Sequence, residues 1–123
     1  MTGIGIDLCE IARMERLLAK SDLFLQRYFA PEEQAYIQSR GKTAAQSMAA
    51  MFAAKEALLK ALGIGIDGSI PLTDICIHHA QSGQPCYRLS VAAQTVLEAT
   101  GASRALLSIT HEGGMAAAVA LIE

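Results

Sequence analysis

The longest stretch of helical periodicity in the chain runs from Thr43 to Gly63, TAAQSMAAMFAAKEALLKALG. At about 100° per residue, Met48, Met51, Phe52, Leu58, Leu59 and Leu62 share one broad apolar face. Ala49, Ala50, Ala53, Ala54, Ala57 and Ala61 line the far side, where a neighbouring backbone can come close. A helix apolar nearly all round belongs in the middle of a domain or between subunits. Thr43 and Gln46 have the spacing of a capping box, and Gly63 is a natural stop.

On the N-terminal side, Thr2–Leu8 alternates Gly3, Gly5 and Asp7 with Ile4, Ile6 and Leu8. This is the period of a strand, and the isoleucine–leucine face is expected in the core. Glycine on the other face lets something large approach. Three short helical pieces follow: Glu10–Ala19 with Ile11, Met14, Leu17 and Leu18 inward, Ser21–Phe29, and one starting at Ala30–Pro31–Glu32–Glu33 and stopping at Gly41. Proline followed by two acids suits a helix N-terminus.

Beyond the long helix, Gly63–Asp67 repeats Gly3–Asp7 letter for letter. Nothing on either side of the two copies matches, and the second follows a helix and runs into Asp67–Gly68, a turn signal. It reads as a glycine loop. Leu72–His78 alternates again and pairs with Pro85–Leu89 across a turn at Gln81–Gln84. Ser90–Thr100 reads as a helix capped by the serine and burying Val91, Val96 and Leu97. Arg104–His111 and Met115–Ile122 are strands joined by a tight hairpin at Glu112–Gly113–Gly114. The order predicts an α+β domain: an antiparallel sheet with helices packed on one side around a long central helix.

Composition narrows the class. With 123 residues, 52% hydrophobic and 18% charged, the chain is sized for one domain over 1–123 with a real core. No apolar run reaches the ~18 residues that a bilayer crossing needs. The N-terminus lacks the basic start and cleavage site of a signal peptide. Cys9, Cys76 and Cys86 read as reduced, mostly packed thiols, so the expected location is the cytoplasm. A net charge of −2 exerts no pull on nucleic acid. An anionic ligand would have to be held by local groups.

Those local groups stand out against the apolar background. Asp7 on a strand and Glu56 on the buried helix form a pair suited to a hard cation such as Mg²⁺, which takes one or two carboxylates and keeps water or phosphate oxygens. Lys60 lies one helical turn from Glu56, and Lys55 projects into the apolar stripe, where an ammonium must snorkel or meet an anion. Cations beside two carboxylates suit a phosphate or pyrophosphate ligand. Plainer roles stand beside these: Asp7 as a helix cap, and Glu56–Lys60 as a surface pair worth a few tenths of a kcal/mol. Gly63–Asp67 fits neither the P-loop nor the dinucleotide fingerprint. His78 and His79 are adjacent on a strand and point to opposite faces, so they do not chelate one metal.

The motifs Gly3-Ile-Gly-Ile-Asp-Leu8 with Glu10-Ile11 and Arg13, Phe52-Ala-Ala-Lys-Glu-Ala57 through Lys60-Ala-Leu-Gly63, Gly83-Gln-Pro85 and Ser108-Ile-Thr-His111 together resemble bacterial holo-acyl-carrier-protein synthases, the small 4′-phosphopantetheinyl transferases. The resemblance covers essentially the whole chain. It implies Mg²⁺-dependent transfer of phosphopantetheine from coenzyme A to a serine of apo acyl carrier protein, releasing adenosine 3′,5′-bisphosphate. Asp7 and Glu56 match the metal ligands, and Lys60 the cation near the scissile bond. A water held by the carboxylates is the expected base. The resemblance further places coenzyme A against Gly63, Gly65, Gly83, Pro85, Thr110 and His111. Lys55 is either a contact to ligand phosphate or half of a buried ion pair. Arg13, with Arg16 as a weaker addition, matches the docking site for the acidic carrier, and the implied assembly is a homotrimer with sites at subunit boundaries. Neither nucleic acid nor membrane is expected as a partner.

Two positions depart from the family pattern. Many relatives carry arginine immediately before the phenylalanine, where Met51 stands, and threonine between the loop glycines, where Ile64 stands. A phosphate or partner contact made at the first position would then be missing or supplied elsewhere. A non-catalytic binding module and a metal-dependent phosphohydrolase are the competing classes, separable by whether the carrier gains mass.

Overall fold

The computed structural model describes residues 2–66 and 68–123. Strand β1 (Gly3–Glu10) leads into helices α1 (Ile11–Lys20), α2 (Leu23–Tyr28) and α3 (Pro31–Ser39), then the long helix α4 (Ala44–Leu62). The hairpin β2 (Ile75–His79) and β3 (Pro85–Leu89) follows, then α5 (Val91–Ala99), β4 (Ala105–Glu112) and β5 (Met115–Ile122). The strands form two antiparallel sheets, a three-stranded one in the order β1-β5-β4 and the β2-β3 hairpin. The α+β architecture is the expected one.

Register gives the main sheet two contrasting faces. Gly5–Ala120–Leu107, Asp7–Ala118–Ile109 and Cys9–Ala116–His111 form rows on the face towards α4. Ile4–Leu121–Leu106, Ile6–Val119–Ser108 and Leu8–Ala117–Thr110 form rows on the other. The expected orientation of β1 is therefore reversed: Ile4, Ile6 and Leu8 are 58%, 64% and 62% exposed, and the glycine–aspartate face is inside. The cause is the close approach anticipated for the alanine side of α4. A Cβ built on Gly5 would strike the Ala57 carbonyl, and one on Gly3 the Ala61 carbonyl. Only a strand face without Cβ atoms can lie this close to a helix backbone.

Several boundaries shift for local reasons. Thr43 does not cap α4 with its side chain; its Oγ1 donates to the Arg40 carbonyl, and a 3-10 turn at Gly41–Thr43 runs into the helix. Leu72–Asp74 is likewise a 3-10 turn, so β2 begins only at Ile75. There Asp74 accepts from the Ser90 hydroxyl, and Ser90 accepts from Ala93 N to cap α5. Val91, expected inside, is 86% exposed; Ala93 and Leu97 are the buried residues of α5. The β4–β5 hairpin turns on Gly113 and Gly114, both at positive φ, as a two-residue type I′ connection requires. Gly63 ends α4 in the left-handed region and the chain continues as a loop through Ile66; Asp67, the last residue of the repeated pentapeptide, lies outside the described residues.

Candidate active site

The backbone contact between β1 and α4 brings Asp7 beside the last turns of the helix. Lys60 Nζ donates to Asp7 Oδ1 at 2.9 Å and to the Ile6 carbonyl at 3.1 Å. Asp7, Glu56, Leu59, Lys60, Ile64, Gly65 and Ile66 line a cleft of about 300 Å³. Asp7 does not cap α1, which begins without a side-chain cap, and its side chain lines this cleft instead. Glu56 and Lys60 are more than a surface pair, because both face a carboxylate 53 or fewer residues away in sequence and adjacent in space.

The electrostatics of this corner suit a cation. Asp7 Oδ2 is buried and has no hydrogen-bond partner, a costly state for a carboxylate oxygen. Burial, with the adjoining Asp7 carboxylate, pushes the Glu56 carboxyl up to about 7, against the opposing charges of Lys60 and Arg13. Two crowded carboxylates, one with an orphaned oxygen, are an arrangement that a hard cation relieves. No cluster of three or more His, Cys, Asp or Glu side chains occurs among the described residues. The two carboxylates alone are a donor set that fits Mg²⁺, which takes few protein ligands and fills its shell with water and phosphate oxygens. Cys9 adjoins the corner, but burial raises its thiol to about 11 and leaves it protonated.

Lys55 takes the second of the two roles open to it and is withdrawn from the ligand contacts. It is fully buried, with Nζ donating to Glu33 Oε1 at 2.7 Å and to the Leu72 carbonyl at 2.8 Å. Burial lowers its pKa while Glu33 opposes the shift. Glu33 also accepts from Ala30 N at 2.9 Å and from Ile77 N at 2.9 Å, which ties α3, α4 and β2 together. The sequence marks Glu33 only as a helix-start acid; its burial needs the fold.

A second group lies at the other end of α4. Gly83, Pro85 and His111 line a cavity of about 270 Å³ together with Tyr36, Gln46, Met51 and His79. Gln46 Nε2 is within hydrogen-bonding range of His111 Nε2, at 3.3 Å. Tyr36 and His79 stack at 4.1 Å with rings 8° from parallel. The sequence marks Gln46 only as part of a capping box and His79 only as half of a non-chelating pair, and Tyr36 carries no signal. Thr110 does not join this cavity; it belongs to the outward face of the sheet, opposite to His111. Gly65 is in the wall of the Asp7 cleft, whereas Gly63 serves as the helix stop. Glu56 and Gln46 are ten residues apart on one helix, so the two groups are separated by ~15 Å within a chain.

On the outer side of α1, Arg13 and Arg16 are both exposed. The Arg13 guanidinium lies over the rings of Phe24 and Phe52, at 6.0 and 5.8 Å from their centroids. Among the described residues it has no carboxylate partner, while Arg16 pairs with Glu10 at 3.2 Å.

Comparison with known proteins identifies the family. Residues 3–120 match the model of the 4′-phosphopantetheinyl transferase superfamily. The holo-[acyl-carrier-protein] synthase of Trichlorobacter lovleyi is 45% identical over 98% of this chain and 96% of the relative, and that of Treponema denticola is 44% identical over 98% and 97%. The crystal structure of the Neisseria meningitidis synthase superimposes with a TM-score of 0.90 at 35% identity, covering 100% of this chain and 98% of that one. The Helicobacter pylori synthase, solved with coenzyme A, gives 0.82 at 32% identity over 98% and 99%. No helix among the described residues is long and apolar enough to cross a membrane. The chain belongs to the holo-acyl-carrier-protein synthases of the 4′-phosphopantetheinyl transferase superfamily.

Proposed function

We propose that the protein transfers 4′-phosphopantetheine from coenzyme A to a serine of apo acyl carrier protein, with Mg²⁺ as cofactor and adenosine 3′,5′-bisphosphate as the second product. The observation that carries this reading is the corner where Asp7 Oδ2 is orphaned beside Glu56 and under Lys60. Asp7 and Glu56 would hold the cation, which when bound supplies positive charge to the pyrophosphate oxygens. The serine oxygen bonds to the phosphorus nearer the pantetheine, and the bond from that phosphorus to the bridging oxygen breaks. The serine proton passes to a water hydrogen-bonded to the two carboxylates. Lys60, held by Asp7 and the Ile6 carbonyl, offsets the charge that develops on the departing nucleotide phosphate. Gly83, Pro85 and His111 receive the nucleotide end of coenzyme A. Arg13, steadied on two aromatic rings and without a carboxylate partner, meets the acidic carrier; Arg16 adds less because Glu10 engages it. Three free cysteines suit work in the reducing cytoplasm.

Two features support assembly as a homotrimer. The outward sheet face presents Ile4, Ile6, Leu8 and Leu106 to solvent, a contiguous apolar surface of the kind that another chain covers. The ~15 Å between the metal corner and the nucleotide cavity leaves room for a second copy to complete the site. Thr110, on that outward face, would then reach ligand only across a subunit boundary. Native mass spectrometry tests this: the parent should be trimeric and Ile6→Asp monomeric, while a monomeric parent refutes the assembly.

The reaction is tested by intact-mass measurement of apo carrier incubated with the protein, coenzyme A and Mg²⁺. A gain equal to phosphopantetheine, abolished by a chelator, is expected. Carrier binding without mass gain would mean a binding module, and coenzyme A cleavage without modified carrier would mean a phosphohydrolase.

A further inference from the structure

Lys60 works from the last turn of α4, the part of a helix whose carbonyls lack intrahelical partners and which frays most readily. In this chain that turn is closed twice. Gly63 N donates to the Lys60 carbonyl at 3.1 Å, and Ile64 N donates to the Leu59 carbonyl at 3.0 Å. With Gly63 at φ 75°, these are the two bonds of a Schellman motif. One of them occupies the carbonyl of the site lysine itself.

Such a closure is strengthened when the residue after the left-handed glycine is apolar and meets the residue whose carbonyl it bonds. Ile64 holds that place. Its side chain is half-buried against the apolar core and lines the same cleft wall as the buried Leu59. The chain then folds back over it. Gly68 N donates to the Gly65 carbonyl at 3.0 Å, and a Cβ built on Gly68 would stand 3.6 Å from Ile64 Cβ. Ile64 is thus clamped between the end of α4 and the turn that follows, and its side chain has no polar atom to offer a ligand.

We infer that Ile64 is a positioning residue for Lys60: its apolar anchor keeps the last turn of α4 wound, so that the ammonium reaches Asp7 and the Ile6 carbonyl. For the reaction, this rests on the reading of Lys60 as the cation that offsets charge on the departing phosphate. Both partners of Lys60 Nζ are on β1, at 2.9 and 3.1 Å. The ammonium is therefore placed only as well as the helical turn that carries its Cα. A frayed turn leaves the lysine charge in the cleft and takes away its direction. The role also accounts for an apolar residue at a position where many relatives carry threonine.

The test compares the parent with Ile64→Ser, Ile64→Val and, as an exposed apolar control, Val91→Ser, at a temperature where all four are folded. Two readouts need no turnover: amide hydrogen exchange, and trace acylation of Lys60 measured against the exposed Lys20. In Ile64→Ser the protection factors of the amides at 63 and 64 should fall by about tenfold or more, and Lys60 should label several-fold faster. A third readout is the rate of carrier modification. There kcat should fall by about tenfold while KM for coenzyme A and for the carrier stays within about twofold, because Lys60 acts on charge that develops only in the transition state. Ile64→Val keeps a branched apolar side chain and should recover most of all three. Amides that stay protected in Ile64→Ser, unchanged labelling of Lys60, a loss carried by KM alone, a valine variant as impaired as the serine one, or the same losses in Val91→Ser would each overturn the inference. A parent that leaves apo carrier unmodified would sink the transferase reading; exchange and labelling would then decide the positioning of Lys60 by themselves.

Discussion

Helix α4 carries two lysine–carboxylate pairs five residues apart, and they differ in almost every respect that matters. Lys55–Glu33 is sealed, with both side chains fully buried and every polar atom supplied with a partner. Lys60–Asp7 is open, with the lysine side chain 56% and the aspartate 10% exposed, and it leaves one aspartate oxygen unpartnered. A fully satisfied pair holds elements together and has no capacity left for a ligand. An incompletely satisfied pair at a cleft has chemistry still to do. Burial and partner count thus divide the two lysines of one motif into a sealed scaffold pair and an open pair at the cleft.

The largest effect expected on breaking this contrast is catalytic. Asp7→Ala should lower the rate of carrier modification by on the order of a hundredfold or more, with little change in unfolding temperature. Parent-like turnover would mean that the open pair is ornamental. Next comes stability: Lys55→Ala leaves the Glu33 carboxylate buried and unpaired, at a cost of about 3–5 kcal/mol by denaturant titration. A loss within the ~1 kcal/mol of a surface pair would contradict the sealed description.

A smaller and pH-dependent effect should come from Glu56. Its folded pKa of about 7 lies above the ordinary value of 4.5. The folded protein therefore keeps a proton that the unfolded chain releases between those values, and the metal-free protein loses stability as pH rises from about 4.5 to about 7. Glu56→Gln removes that loss. The melting temperature of the variant minus that of the parent should climb across this window and level off above it; a flat difference would show that burial and the Asp7 carboxylate do not raise the Glu56 carboxyl. The smallest effect concerns docking. Arg13→Glu should raise KM for the carrier about tenfold without changing the melting temperature, and Arg16→Ala should do much less because Glu10 already engages it. Equal effects would place both residues on the same footing.

Much of the fold was legible, and the exceptions have physical reasons. Helical periodicity located α4 and glycine marked its end, because apolar spacing and C-cap chemistry are local signals. The Gly113–Gly114 hairpin was legible for the same reason. Period-two alternation divided β1 into two faces but could not say which was inside. Ile4, Ile6 and Leu8 look like core until the alanine face of α4 is seen to need a strand without Cβ atoms. Val91 misled in a similar way, as an apolar residue in the first turn of a helix that buries Ala93 and Leu97 instead. In the site, Asp7, Glu56 and Lys60 were legible as charges out of place in apolar surroundings. Glu33 was not, because an acid after proline looks like an ordinary helix start, and its partner is 22 residues away. Tyr36 and His79 were hidden as cavity residues too, since their cavity exists only once α3 lies against the β2–β3 hairpin.

The most direct test sets the two lysines against each other: the initial rate of carrier modification by Lys55→Met and Lys60→Met, at a temperature where both are folded. Lys60→Met should keep the parent melting temperature and lose on the order of a hundredfold in rate. Lys55→Met should melt lower and transfer within a few-fold of the parent. A Lys60→Met protein that transfers at the parent rate, or a folded Lys55→Met protein that transfers nothing, would contradict the division of α4 into scaffold and site.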